Sequence, residues 1–209
     1  MANSRNLVLD IQDFFLKYPG SVNWTLNGVN LRLCSGERLA LVGQSGCGKS
    51  TIARVVLQML PPESICKGGL ILNGKDPRNL DQLSLRRFRG ESVGFVFQDP
   101  MTRFNPLMTI GTHLTDLLES YYINKSSEWV SQKAKEMLER VGISHTRFRA
   151  YPHELSGGMR QRVAIALAIS LSPPLVIADE PTTSLDVAVA NQVMIELSNL
   201  CQELGSTLL

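Results

Sequence analysis

Leu39-Ala40-Leu41-Val42-Gly43-Gln44-Ser45-Gly46-Cys47-Gly48-Lys49-Ser50 is the stretch whose reading decides the fold. Its four leading apolar residues predict a strand covered on both faces, as in a parallel sheet flanked by helices. After the glycine-rich loop, Ser50 to Leu60 carries helical spacing until Pro61-Pro62 stops it. Strand, loop and helix in that order are the setting that G-x-x-x-x-G-K-[ST] requires. Glycines let the backbone coil so that successive N–H groups of Gly43 to Thr51 face phosphate oxygens, and the helix N-terminus adds partial positive charge. Lys49 is then placed to reach β- and γ-phosphates, and Ser50 to hold Mg²⁺.

Working outward, Leu7 to Ile11 and Leu31-Arg32-Leu33 alternate with period two and predict half-exposed strands, separated by turn chemistry at Pro19-Gly20 and Asn27-Gly28. Leu70-Ile71-Leu72 turns at Asn73-Gly74 in the manner of a hairpin, and Val93 to Phe97 is a compact apolar strand ending at Gln98-Asp99-Pro100. Helical patterning then runs over Thr112 to Tyr122 and Ser127 to Val141, started by Ser126 and stopped by Gly142. A helix from Gly157 to about Leu171, a strand from Leu175 to Asp179 and a helix from about Val187 to Leu204 follow. That last strand delivers Asp179 and Glu180 at its C-terminal end, where ligands sit in open parallel sheets. Asp179 is placed to support Mg²⁺ through its water shell, and Glu180 to align or deprotonate a water attacking the γ-phosphate.

The 209 residues are 44% apolar and 19% charged, with 21 basic against 19 acidic side chains. A balance of +2 does not suggest a chain that coats polyphosphates, and the apolar share disfavours intrinsic disorder. No run of about 18 apolar residues exists. Met1 to Asn6 lacks the apolar core of a signal peptide, so the expectation is a protein that stays in the cytosol. Cys34, Cys47, Cys66 and Cys201 have no metal-ligand spacing and no disulfide framework.

A second glycine cluster, Leu155-Ser156-Gly157-Gly158-Met159-Arg160-Gln161-Arg162, is a further helix start whose hydroxyl and N–H groups can bind oxygens. With the phosphate loop before it and the acidic strand after it, the chain resembles the ATP-binding subunits of ABC transporters. That resemblance implies an α/β fold: a P-loop NTPase, RecA-like core with an N-terminal antiparallel β subdomain and an inserted helical subdomain. Residues 1–98 would form the β subdomain and the first part of the core. Residues 99–155 would form the helical subdomain, and 156–209 the signature helix, acidic strand and D-loop part.

It also implies ATP and Mg²⁺ as ligands, with Ser156, Gly157 and Gly158 facing the nucleotide held by a second ATPase subunit, identical or paralogous. Gln98 matches the Q-loop glutamine that touches Mg²⁺ or the attacking water. Asp186, in Thr182-Thr183-Ser184-Leu185-Asp186, matches the D-loop aspartate at the dimer seam, with a helix N-cap as the competing reading. Tyr18 is the candidate platform for adenine, with Trp24 as rival and core packing as the alternative for either.

Gln98 to Gly111 and Tyr151-Pro152-His153-Glu154 are similar to the dipeptide, oligopeptide and nickel importer branch. The branch implies an ATPase on the cytoplasmic face of the inner membrane, docked on permease subunits, with an extracytoplasmic solute-binding protein delivering the solute. Met101, Phe104, Leu107 and Met108 are expected to offer the permease a soft apolar surface, with packing inside the insert as the competing explanation. The family's switch histidine follows the D-loop helix, whereas His113, His145 and His153 all lie upstream. The expectation is therefore a C-terminally truncated chain whose hydrolysis is open. A nucleotide-binding fragment is one alternative function. A soluble ABC-type ATPase is another, disfavoured by the absence of sustained heptads and of a second cassette.

Overall fold

In the computed structural model, residues 6–183 and 185–209 are described, without the side chain of Met101. Three antiparallel strands, β1 (Leu7–Lys17), β2 (Leu26–Cys34) and β3 (Ile65–Leu72), form one sheet in the order β2-β1-β3. In β1 the fully buried side chains are Leu9, Ile11, Phe14 and Leu16, which change phase between Ile11 and Phe14. A bulge makes that change: the register shifts there and Asp13 takes φ 44°. Gly68 permits it, since a Cβ at that position would collide with the Asp13 carbonyl.

The phosphate loop leads into α1 (Lys49–Val56), which buries Ile52, Ala53, Val55 and Val56 in one core with the antiparallel sheet. Pro61-Pro62 does not end this helix. Gln58 ends it earlier, in left-handed conformation at φ 51°. A further helix, α2 (Gln82–Ser92), was not expected from the sequence, because its apolar face reduces to the single buried residue Phe88. Asp81 caps it by accepting the Ser84 N–H.

The parallel sheet contains β4 (Val93–Val96), β5 (Leu175–Ala178) and β6 (Thr207–Leu208) in that order. The expected doubly covered strand at Leu39–Val42 is corrected here. Arg38 forms a parallel bridge with Leu208, and the Leu39 N–H donates to the Leu208 carbonyl. Beyond that point Leu39 is 37% and Val42 93% exposed. The stretch reads as buried because all four residues are apolar, but its other side borders a cavity of about 650 Å³ that reaches Lys49, Asp179 and Glu180.

The insert contributes α3 (Ile110–Tyr121) and α4 (Ser127–Arg140), followed by α5 (Gly157–Ile169) and α6 (Val187–Glu203). Thr109, Ser126, Ser156 and Asp186 cap these four helices through side-chain oxygens. The buried faces of all four helices share a core with Val96, Val176 and Leu208. α5 approaches β4 closely at Gly94, where a Cβ would strike the Ala168 carbonyl. Among the described residues no helix is long and apolar enough to cross a membrane.

Candidate functional site

The loop before α1 coils through Gly46 at φ 82° and Gly48 at φ 101°, conformations that side chains rarely adopt. Gly48 is the N-cap of α1, and no side chain caps that end. The first N–H groups of the helix therefore face the loop without a side-chain acceptor, which is the arrangement an anion fills. Gly48 also packs on the antiparallel sheet, where a Cβ would stand 2.8 Å from Leu26 Cδ2. Lys49 Nζ folds back over the loop and donates to the carbonyls of Gly43 at 2.8 Å and Gln44 at 3.0 Å. The ammonium is thereby held at the centre of the curl formed by Gly43, Gln44, Ser45, Gly46 and Cys47.

Three distant segments meet beside this loop. The Ser50 hydroxyl donates to Asp179 Oδ1 at 2.8 Å, joining α1 to the end of β5. Gln98, just past β4, donates from Nε2 to Glu180 Oε2 at 3.0 Å. Thr183 donates its hydroxyl to the same Glu180 oxygen at 3.2 Å. Thr183 escapes sequence reasoning; the available signal is its place three residues after Glu180 in a turn closed by Thr183 N–H onto the Glu180 carbonyl. Glu180 itself has φ 47°, uncommon for a residue with a side chain and concentrated at functional sites.

The Ser50 hydroxyl and the Asp179 carboxylate, joined at 2.8 Å, are hard oxygen donors of the kind that suits Mg²⁺, an ion that keeps several waters and leans on substrate phosphates. No cluster of three His, Cys, Asp or Glu side chains suited to a metal occurs among the described residues, so protein groups alone make no closed cage.

Other expected positions lie apart from this cluster. Ser156 accepts the Met159 N–H at 3.3 Å as the cap of α5, and its own O–H stays available to donate. Among the described residues no hydrogen bond joins Ser156, Gly157 or Gly158 to the phosphate loop. A Cβ on Gly158 would meet Val189 at 2.7 Å, whereas one on Gly157 would make an ordinary 3.5 Å contact with Leu185. Asp186 accepts the N–H groups of Ala188 and Val189, so the N-cap reading describes its present bonds. Ser184, between Thr183 and Leu185, lies outside the described residues.

Tyr18 packs against the core of the antiparallel sheet, with its hydroxyl buried and without a partner among the described residues. Its rival Trp24 is engaged edge-on by Phe15 at 5.6 Å and carries Lys67 over its ring. Of the expected docking set, Phe104 is corrected: it is 8% exposed and belongs to the insert's core. Leu107 is 84% exposed, and the side chain of Met101 lies outside the described residues.

Thiol chemistry gives a check on the loop. Cys47 is exposed, with its sulfur 4.0 Å from Lys49 Nζ. Cys201 is buried, and burial pushes its thiol up to about 11. A maleimide should label Cys47 well before Cys201, and saturating Mg-ATP should slow the Cys47 reaction in peptide mapping by mass spectrometry. Equal Cys47 rates with and without nucleotide would remove the loop from the phosphate site.

Comparison with known proteins gives the family and the fold. The sequence profile of the family described as ABC transporter matches residues 26–183. The oligopeptide transport ATP-binding protein OppD of Bacillus subtilis is 39% identical over 206 residues, covering 97% of this chain and 57% of that protein. The probable D,D-dipeptide transport ATP-binding protein DdpD of Escherichia coli is 42% identical over 208 residues, covering 97% and 63%. The chain thus spans about three fifths of the length of these relatives. Among solved structures, the ATP-binding cassette MJ0796, a dimer in a post-hydrolysis state bound to ADP and Pi, matches with a TM-score of 0.83 at 30% identity, covering 96% of this chain and 85% of that one. The cbiO1 protein of Clostridium perfringens, part of the transporter complex cbiONQ, also reaches 0.83, at 27% identity, covering 97% and 77%.

Proposed function

We propose, since this chain belongs to the ABC transporter family of ATP-binding domains, that it is the ATP-hydrolysing subunit of a peptide- or nickel-type importer. The observation that carries this reading is the pair of bonds Ser50 to Asp179 and Gln98 to Glu180. They bring a phosphate loop, a metal-supporting carboxylate and a candidate general base to one mouth. The triphosphate lies along Gly43 to Thr51, and Lys49 exchanges its bonds to the Gly43 and Gln44 carbonyls for bonds to β- and γ-oxygens. Ser50, Asp179 and Gln98 would hold Mg²⁺, which when bound would supply neutralising charge to the phosphates. Glu180, steadied by Gln98 and Thr183, orients a water toward the γ-phosphorus. The water oxygen bonds to the γ-phosphorus as the P–O bond to ADP breaks, and Glu180 takes the water's proton, leaving ADP and inorganic phosphate.

Ser156, Gly157 and Gly158 do not serve their own chain's loop in this reading. They close over the nucleotide of a second ATPase subunit, and the twofold repeat of that contact forms the dimer. Asp186 lies at the seam, and Tyr18 supports adenine from the β subdomain. Closure and opening of the dimer drive a membrane permease from the cytoplasmic face, while a solute-binding protein delivers the solute outside. Exposed Leu107 and Leu83 offer that permease apolar contact. Phosphate release by the wild-type chain, with and without permease, compared with Glu180→Gln, is the experiment that tests the reading.

A further inference from the structure

One turn of α2 is clamped from both sides. Toward α1, Arg89 donates from Nε to the Leu57 carbonyl and from a terminal guanidinium nitrogen to the Gln58 carbonyl, each at 2.6 Å. Those carbonyls belong to the two residues that follow Val56, the last residue of α1. There the Gln58 N–H donates to Val55 at 3.1 Å and the Met59 N–H to Arg54 at 2.8 Å, with Gln58 in the left-handed position that usually takes glycine. A planar guanidinium suits two adjacent carbonyls, and its charge complements the negative end of the helix. Toward the insert, Tyr121 at the end of α3 donates its O–H to the Arg86 carbonyl at 3.2 Å. The Tyr121 ring also lies so close over Gly90 that a Cβ there would collide with it.

The same helix forms a groove of about 560 Å³ with the α3–α4 turn, lined by Leu83, Arg86, Arg87, Ile123 and Lys125. Meanwhile α1 is only about 12 Å long at 1.5 Å per residue. Its far end is the phosphate loop, so a shift at the Arg89 clamp reaches the loop through one short, stiff rod.

We infer that Arg89 is a positioning residue that couples nucleotide seating at the start of α1 to the groove between α2 and the insert. The inference rests on the nucleotide reading above. Coupling of this kind is reciprocal: if groove and loop communicate, nucleotide must alter the groove.

Hydrogen exchange on the full chain, with and without saturating Mg-ATP, tests it. In the wild type, nucleotide should slow exchange over the phosphate loop and also over residues 121–125. In Arg89→Ala, loop protection at saturating nucleotide should persist while the effect at 121–125 falls at least about threefold. Arg89→Lys, which keeps the charge but loses the fork, should lie between the two. If Arg89→Ala does not fold, Tyr121→Phe breaks the same path from the insert side and should likewise weaken the distal response.

Undiminished protection at 121–125 in these variants would overturn the role of Arg89. So would a wild type protected at the loop and unchanged at 121–125. A wild type unprotected at the loop itself would instead overturn the nucleotide reading, and the coupling with it.

Discussion

Glu180→Gln is expected to cut phosphate release by about 10²–10⁴ while leaving ATP binding intact. The substitution keeps the shape of the side chain and its ability to hydrogen-bond with Gln98 and Thr183, so the turn after β5 and its φ of 47° need not change. What it removes is a carboxylate able to take a proton from water. A positioned general base contributes about 10²–10⁴ in rate, and the loss in turnover should fall in that range. Nucleotide affinity, set by the loop and Lys49, should change little. Malachite-green phosphate release together with fluorescent ATP titration separates the two quantities. Turnover within a few-fold of wild type would take Glu180 out of the role of base.

Lys49→Ala acts at the other end of the cycle and should weaken binding itself. Its ammonium is the charged side chain inside the loop, and it now rests on the Gly43 and Gln44 carbonyls. A charge-assisted hydrogen bond contributes about 1.5–3 kcal/mol, so losing Lys49 should weaken ATP binding by about ten- to a hundredfold. The helix end and the backbone N–H groups remain, so ADP, which lacks the γ-phosphate, should lose less. Stability should change little, because the hydrogen bonds Lys49 makes are to carbonyls of the exposed loop. Equal losses for ATP, ADP and AMP in calorimetric titrations would place Lys49 away from the terminal phosphates.

Much of this was legible in the residues. The phosphate loop announces itself because glycine spacing and a following Lys-Ser are dictated by close approach to phosphate, a local requirement. The helices of the insert were legible because Ser126 caps and Gly142, at φ 68°, releases the chain. Where the reading failed, the deciding contacts were distant. α2 has one buried residue and owes its place to Asp81, Arg89 and Tyr121, none of which forms a periodic apolar face. Leu39 to Val42 looks buried from its own composition, yet burial depends on what lies across the sheet from it. Phe104 followed the same logic in reverse, appearing as surface beside Leu107 while its ring belongs to the core with Leu114. Thr183 was hidden because a threonine in a turn carries no signal until the carboxylate it steadies is seen in place.

The central claim is that one triphosphate is held jointly by the loop of one copy and the signature helix of another. Multi-angle light scattering of Glu180→Gln in saturating Mg-ATP tests it directly, because stalled hydrolysis preserves the pair. The mass should double with ATP and return to that of one chain when Gly157→Glu is added. A Cβ at Gly157 makes only an ordinary 3.5 Å contact with Leu185, and the glutamate carries a negative charge to the helix end proposed to face phosphate oxygens. A mass that stays single with the loop occupied, or a pair indifferent to Gly157→Glu, would contradict the shared site.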